Sequence, residues 1–386
     1  MAAPSAPLAT RSIGIDASRA NVAERTGTEW YAFHVIEGLK RLVPPDVRVF
    51  LYTREPLRDD LKDLPPNWEN RVLSWPPRRL WTQLRLSWEM LVRPPDLLFV
   101  PVHVVPIILP KRSVTTLHDV AFVTQPAAYG LFERWYQQYA VWAASRHATA
   151  ILTISEFSKS EIIKYFGTPA GKIFTTPLGY DPRTFFRPTD PAETSRRLRA
   201  LGIVRPYFFY VGRVEWKKNI ATLLRAFKSF KEKAGPADNT LLVLAGKLGY
   251  GSEEALRPLN EDEKLRRDVL MPGYVSHEDI RHLYAGALAF VFPSWYEGFG
   301  LPLIEAMACG TPVVAARSSC LPEVAGDAAI FADPANAEDL AHTLGRVANE
   351  PSLRADLVAK GLVRAPQYSW PKTAEMTWEV LKRNLN

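Results

Sequence analysis

With 386 residues, 47% of them hydrophobic and 23% charged, the chain exceeds what one hydrophobic core usually supports, which excludes a disordered or fibrous protein and predicts two ordinary domains. Two cysteines, Cys309 and Cys320, exclude a disulfide framework, and no Cys/His cluster has zinc-ligand spacing, so a reducing, cytoplasmic setting is expected. The net charge of +7 is carried mainly by residues 1–180 (21 Lys+Arg against 16 Asp+Glu), but no basic block, zinc-finger spacing or aromatic RNA-binding motif accompanies it, and no nucleic-acid partner is expected.

The opening residues MAAPSAPLATR lack a basic start followed by an apolar run, and no stretch approaches the roughly 18 to 20 apolar residues that span a bilayer. Short apolar or β-branched runs predict strands at 12–16, 47–52, 97–100, 113–117 and 150–154, then at 207–211, 240–245, 289–292, 311–315 and 329–331. Helix-period segments follow most of them, including 29–41, 132–145, 220–233, 277–287, 302–308 and 337–349. Such alternation predicts parallel sheets covered by helices on both faces, and it occurs twice. The expected fold class is α/β with two Rossmann-like parallel-sheet domains, at 1–182 and 183–369, joined by the proline-containing segment 178–191. Ligands of such sheets collect at the carboxyl ends of the strands.

Candidate residues fall at those ends. After the first strand, Arg25-Thr26-Gly27-Thr28-Glu29 opens a helix, and Gly27 would let backbone approach a phosphate, although glycine before a helix is also ordinary turn chemistry. Two aromatic-rich segments follow: residues 80–91, with Trp81, Trp88 and Arg85 preceded by Arg78 and Arg79, and residues 132–142. Aromatic residues at helical spacing predict core packing; a surface for a lipid-linked or glycan acceptor is the alternative, and the basic first half would permit peripheral association with anionic lipid. Between them, Thr115-Thr116-Leu117-His118-Asp119 ends a strand with a cation-capable ring, which is either a structural histidine or a catalytic one.

In the second half, Tyr210-Val211-Gly212-Arg213 ends a strand in glycine and leads to Lys218, so that Arg213 and Lys218 would neutralise a diphosphate unless they are simply solvated. The sharpest motif is Glu297-Gly298-Phe299-Gly300-Leu301-Pro302, followed by Glu305. A Gly-x-Gly turn presents amides at a helix N-terminus, which favours phosphate or a sugar hydroxyl. Its two carboxylates lie on different elements and would touch different parts of one ligand.

These segments resemble the retaining glycosyltransferases of family four, whose two-Rossmann-domain architecture is called GT-B with a central cleft. The likeness runs through IGIDAS and TGTEWY, TLHDV, LTISEFSKSEI, PLGYD, YVGRVEWKKN, MPGYVSHEDI, VFPSWYEGFGLPLIEAMACGTPVVA and LPEVAGDAA. The resemblance implies that Arg213 and Lys218 hold a donor diphosphate, assisted by the backbone of Gly212, Gly298, Phe299, Gly300 and Leu301, with Gly27 and Thr28 approaching it. It also implies that Glu305 binds the ribose, that Glu297 orients the transferred sugar, and that His118 contacts that sugar. Tyr274 and Val275 would lie near the base, with Ser155, Gly246 and Lys247 as further cleft residues, and the segment 370–386 would cross back to the first domain.

The implied reaction is retaining, metal-independent hexosyl transfer from a nucleotide sugar, GDP-mannose favoured over a UDP-sugar, to a glycan or lipid-linked acceptor in polysaccharide synthesis. No cofactor is expected beyond that donor substrate. A nucleotide-sugar epimerase, a phosphorylase and a non-catalytic sugar-nucleotide-binding protein remain alternatives, and the resemblance leaves the acceptor unidentified.

Overall fold

Runs that are apolar on both faces form parallel strands, and the computed structural model, which describes residues 11–75, 80–126 and 129–386, gathers them into two sheets. The first comprises β1 (Ser12–Asp16), β2 (Arg48–Thr53), β3 (Trp68–Val72), β4 (Leu97–Val100), β5 (Ser113–Thr116), β6 (Ala150–Thr153) and β7 (Ile173–Thr175). Its order is β3-β2-β1-β4-β5-β6-β7, parallel throughout. The second comprises β8 (Tyr207–Val211), β9 (Leu241–Ala245), β10 (Val269–Gly273), β11 (Ala289–Phe292), β12 (Val313–Ala316) and β13 (Ala329–Ala332), in the order β10-β9-β8-β11-β12-β13, again parallel.

The chain divides into two compact units. One holds residues up to Val123, Gly130–Leu178 and Trp370–Asn386; the other holds Thr124–Tyr129 and Gly179–Ser369. Within the first unit the helix Trp370–Leu385 packs on the helix Gly27–Leu42. The crossing explains one glycine: a Cβ at Gly38 would lie 2.2 Å from Ala374 Cβ. His34 stacks on Trp370 at 4.6 Å, and Arg112 Nη1 donates to Leu385 O at 2.7 Å, fixing the helix at both ends. In the second unit, Phe208, Phe209, Phe227 and Phe290 are fully buried, each contributing roughly 2–3 kcal/mol of hydrophobic burial.

Three strands depart from the sequence expectation, β3, β7 and β10, and each is an edge of its sheet. The helix at Gly27 starts on that glycine rather than after it, and the helix Leu301–Ala308 starts one residue before Pro302, so Glu305 falls in its second turn.

The expected core packing of the aromatic segments is corrected. The helix Leu131–His147 buries its small residues Ala140, Val141, Ala143 and Ala144, and leaves Phe132, Trp135, Tyr139 and Trp142 exposed. Small side chains let that face of the helix pack closely, and the large ones point away from it. At residues 81–92 a π-helix, Trp81–Leu86, runs into Ser87–Val92; Trp81 is buried, donating Nε1–H to Leu73 O at 2.8 Å, while Leu84 and Trp88 are exposed. Arg78 and Arg79 lie outside the described residues. Among the described residues no helix is long and apolar enough to cross a membrane.

Candidate functional site

In the second unit the carboxyl ends of β8, β9 and β10 are stitched together by backbone. Gly212 N–H donates to Ala245 O at 3.0 Å, Gly246 N–H to Gly273 O at 2.7 Å, and Val214 N–H to Lys247 O at 3.0 Å. Gly212 (φ 148°), Gly246 (φ 130°) and Gly273 (φ 74°) occupy conformations that other residues rarely adopt. A Cβ at Gly246 would sit 2.0 Å from Gly212 O, so the two loops meet backbone to backbone. Tyr210, buried in β8, donates its hydroxyl to Arg213 O at 2.9 Å and anchors the next loop.

That loop carries Arg213 and Lys218. Arg213 is exposed and has no ion pair among the described residues. Lys218 reaches the loop after β11, where Nζ lies 2.6 Å from Glu297 Oε1 and 5.5 Å from the centre of the Phe292 ring. The two side chains are 16% and 14% exposed, so the pair is shielded but still reachable. Asn219 holds the loops in place: in the left-handed region (φ 58°) its Nδ2 donates to Pro293 O at 3.0 Å and Pro334 O at 2.8 Å, tying the loop after β8 to those after β11 and β13. Glu297 N–H donates to Ser319 Oγ at 3.1 Å, and Cys320 Sγ donates to Glu297 O at 3.1 Å.

Gly298-Phe299-Gly300 then turns into the helix Leu301–Ala308. Gly300 (φ 88°) is pressed against Leu321, whose Cδ2 would be 2.7 Å from a Cβ, and the Phe299 ring is buried edge-on against Tyr368. Gly298, Phe299 and Gly300 are themselves buried, and the two glycines bring only backbone to the loop. The first amides of a helix lack intrahelical acceptors, so the turn, Arg213 and Lys218 together form a polar, positive rim suited to an anion.

Glu305 points elsewhere. It retains some solvent contact, and its Oε2 accepts from the buried Tyr284 hydroxyl at 3.1 Å. Burial of the carboxyl raises its pKa to about 7 despite that hydrogen bond. Glu297 and Glu305 thus have separate partners, a lysine and a tyrosine. Lys247 Nζ lies 5.5 Å from the ring of Tyr274, which is 67% exposed, and Val275 follows it in the loop after β10. Among the described residues no three His, Cys, Asp or Glu side chains converge as a cation site.

In the first unit, Gly27 is exposed with nothing within 4 Å of a would-be Cβ, and Thr28 follows in the same helical turn. The Glu29 carboxylate accepts from Thr26 N–H at 3.2 Å and from its hydroxyl, capping the helix. Ser155 caps the helix Glu156–Phe166 by accepting from Ser158 N–H. His118 is buried beyond β5, edge-on to Tyr31 at 4.7 Å and 5.2 Å from His103. Its Nε2 is 3.3 Å from Pro101 O, an acceptor only, which assigns the hydrogen to Nε2. Burial, then the neighbouring His103, push its pKa down to about 3, so the ring is neutral and Nδ1 can accept but cannot supply charge.

Sequence reasoning missed Asn219, Ser319, Tyr284 and His103. Asn219 alone left a signal, since asparagine tolerates the left-handed backbone that ends a strand-to-helix loop; the others act through contacts between distant segments.

Residues 197–363 match the family described as glycosyl transferases group 1, and residues 25–184 match glycosyltransferase family 4. The O-antigen chain mannosyltransferase B of Escherichia coli is 36% identical over 276 residues, covering 70% of this chain and 70% of that protein. The serotype-specific mannosyltransferase WbdA of Escherichia coli is 26% identical over 285 residues, 72% of this chain but only 34% of that relative. Among solved structures, a sucrose-phosphate synthase of Thermosynechococcus elongatus aligns with a TM-score of 0.74 at 21% identity over 97% of this chain and 98% of that one, a likeness of fold.

Proposed function

Because the chain belongs to the family 4 glycosyltransferases, built on the GT-B pair of Rossmann-like domains, we propose that it transfers a hexose, mannose favoured, from a nucleoside-diphosphate sugar to a glycan or lipid-linked acceptor with retention of configuration. The observation that carries this reading is the Lys218–Glu297 pair set beside the Gly298–Gly300 turn. Mannose and surface-polysaccharide synthesis are favoured by the O-antigen chain mannosyltransferase B relative, and GDP-mannose is accordingly the proposed donor.

In this reading the bond between the anomeric carbon and the donor's β-phosphate oxygen breaks. Positive charge develops on the sugar and negative charge on the departing diphosphate. Arg213, Lys218 and the amides of Gly298 to Leu301 stabilise that negative charge, a role that preorganised donors perform well because they need no reorganisation as the bond breaks. Glu297 accepts from sugar hydroxyls, Glu305 from the ribose, and Tyr274 with Val275 lies by the base. His118, Gly27 and Thr28, on the first unit, are the residues proposed to meet sugar and phosphate once the donor is bound. The acceptor hydroxyl attacks from the face that the nucleotide leaves and passes its proton to a phosphate oxygen, so no protein nucleophile is invoked. No cofactor is included in the scheme.

A thermal-shift screen of GDP, UDP and their sugars tests the donor. A ligand at a hundred times its Kd stabilises the native state by about 2.7 kcal/mol, a rise of several degrees in Tm. GDP and GDP-mannose should raise Tm where UDP-glucose does not; a rise with UDP-sugars alone would replace the proposed donor.

A further inference from the structure

Large apolar side chains are exposed unevenly. Of the 20 exposed large hydrophobics among the described residues, 12 fall within residues 80–92, 107–108 and 131–142, all in the first unit. These segments adjoin one another: Gln83 Nε2 donates to the Tyr136 hydroxyl at 2.5 Å, and Ile108 N–H donates to Ser87 Oγ at 3.2 Å.

Along the helix Leu131–His147 the exposed residues are Leu131, Phe132, Trp135, Tyr139 and Trp142, one stripe opposite the buried alanines. Their rings run in sequence, with centroid spacings of 6.3 Å (Phe132 to Trp135), 6.1 Å (Trp135 to Tyr139) and 6.0 Å (Tyr139 to Trp142). Trp135 is 61% and Phe132 77% exposed, a cost in hydrated apolar surface that a free monomer would not ordinarily carry. Leu84, Trp88 and Leu91 extend the surface on the neighbouring helical segment.

The charges near it favour cations. Arg93, Lys111 and Arg146 are exposed with no ion pair among the described residues, while Glu89 is buried against Arg85 at 3.2 Å; the exposed acids are Glu133, off the aromatic stripe on the same helix, and Asp96, which accepts from Ser12 N–H and its hydroxyl at 2.8 Å. We propose that this face docks on an anionic membrane surface. Tryptophan and tyrosine suit the headgroup level, where one end of the ring is apolar and the other wet, and surrounding cations add attraction to anionic lipid. A glycan would stack on aromatic rings but gains no hydrogen bonds from Leu84, Leu91 or Leu131. A second copy placed by a two-fold axis would set this acid-poor, cationic surface against itself.

Vesicle sedimentation and tryptophan fluorescence test the face. With vesicles of phosphatidylcholine containing phosphatidylglycerol at low salt, the protein should sediment with the lipid and its emission should shift to the blue. Partitioning should fall at least tenfold in Trp135→Ser/Trp142→Ser, and salt or Arg93→Glu/Arg146→Glu should weaken it. Circular dichroism and nucleotide-sugar hydrolysis, read on the same preparations, should stay unchanged, which separates this proposal from the donor reading. No sedimentation at low salt, full binding by the tryptophan variant, or a dimer that the variant dissolves without any vesicle binding would each overturn it.

Discussion

Lys218 Nζ and Glu297 Oε1 lie 2.6 Å apart across 79 residues of sequence, joining the loop after β8 to the loop after β11. At 16% and 14% exposure the pair is more shielded than a surface salt bridge, so its members should be coupled energetically. Urea melts of Lys218→Ala, Glu297→Ala and the double variant should give a coupling of about 1 kcal/mol or more, because either single change strands the other charge. Strictly additive losses would mean that the contact is incidental.

Glu305 should make donor affinity depend on pH. Burial raises its folded-state pKa from 4.5 to about 7. The unfolded chain therefore loses this proton first: stability is unaffected below about pH 4.5, falls as pH rises to about 7, and stays lowered above that. Glu305→Gln should stabilise the ligand-free protein by of order 2–3 kcal/mol at pH 8 and have little effect at pH 4. Ribose hydroxyls are better accepted by the ionised carboxylate, so donor KM should fall between pH 6 and 8 in the native chain and be flat in the variant. A flat profile in both would remove Glu305 from donor binding.

Two glycines should respond oppositely. Gly246→Ala places a methyl 2.0 Å from Gly212 O at a φ of 130°, and should cost of order 3 kcal/mol or prevent folding, seen as a lowered denaturation midpoint. Gly27→Ala meets open space at a helix start, and should leave stability equal or raise it by about 0.5–1 kcal/mol. Turnover of the second variant should nonetheless fall tenfold or more if backbone there approaches phosphate; unchanged kcat/KM would refute that approach.

His118 should remain neutral across the working range. Its pKa is pushed from 6.5 down to about 3, so the unfolded chain binds the extra proton and stability declines as pH falls through 6.5 toward 3. Ring chemical shifts in a pH titration should not move above pH 5, and any bell-shaped rate profile should survive unchanged in the limb that Glu305 sets. A titration of His118 near pH 6.5 would contradict its buried, backbone-bonded placement.

Much of this was legible in the residues, for identifiable reasons. The central strands β4, β8 and β11 are buried on both faces and read as uninterrupted apolar runs, whereas β3 (WENRV), β7 (IFT) and β10 (VLMPG) sit at sheet edges, where less burial demands less apolar sequence and a proline is tolerated. Glycine marked the strand ends at Gly212 and Gly300 because backbone conformation is a local property. The Glu305–Tyr284 bond and the neutrality of His118 were hidden, since both depend on segments brought together only by the fold. The aromatic stripe Phe132–Trp142 misled for a related reason: periodicity shows which residues share a helix face, and the alanines on the opposite face decided which side would be buried.

Release of GDP from GDP-mannose by the purified protein, followed in the native chain and in Lys218→Ala and Glu297→Ala, tests the donor site most directly. Hydrolysis without acceptor should be slow in the native chain and fall about a hundredfold or more in each variant, with circular dichroism unchanged. Full turnover in both variants would contradict the donor site placed at Lys218 and Glu297.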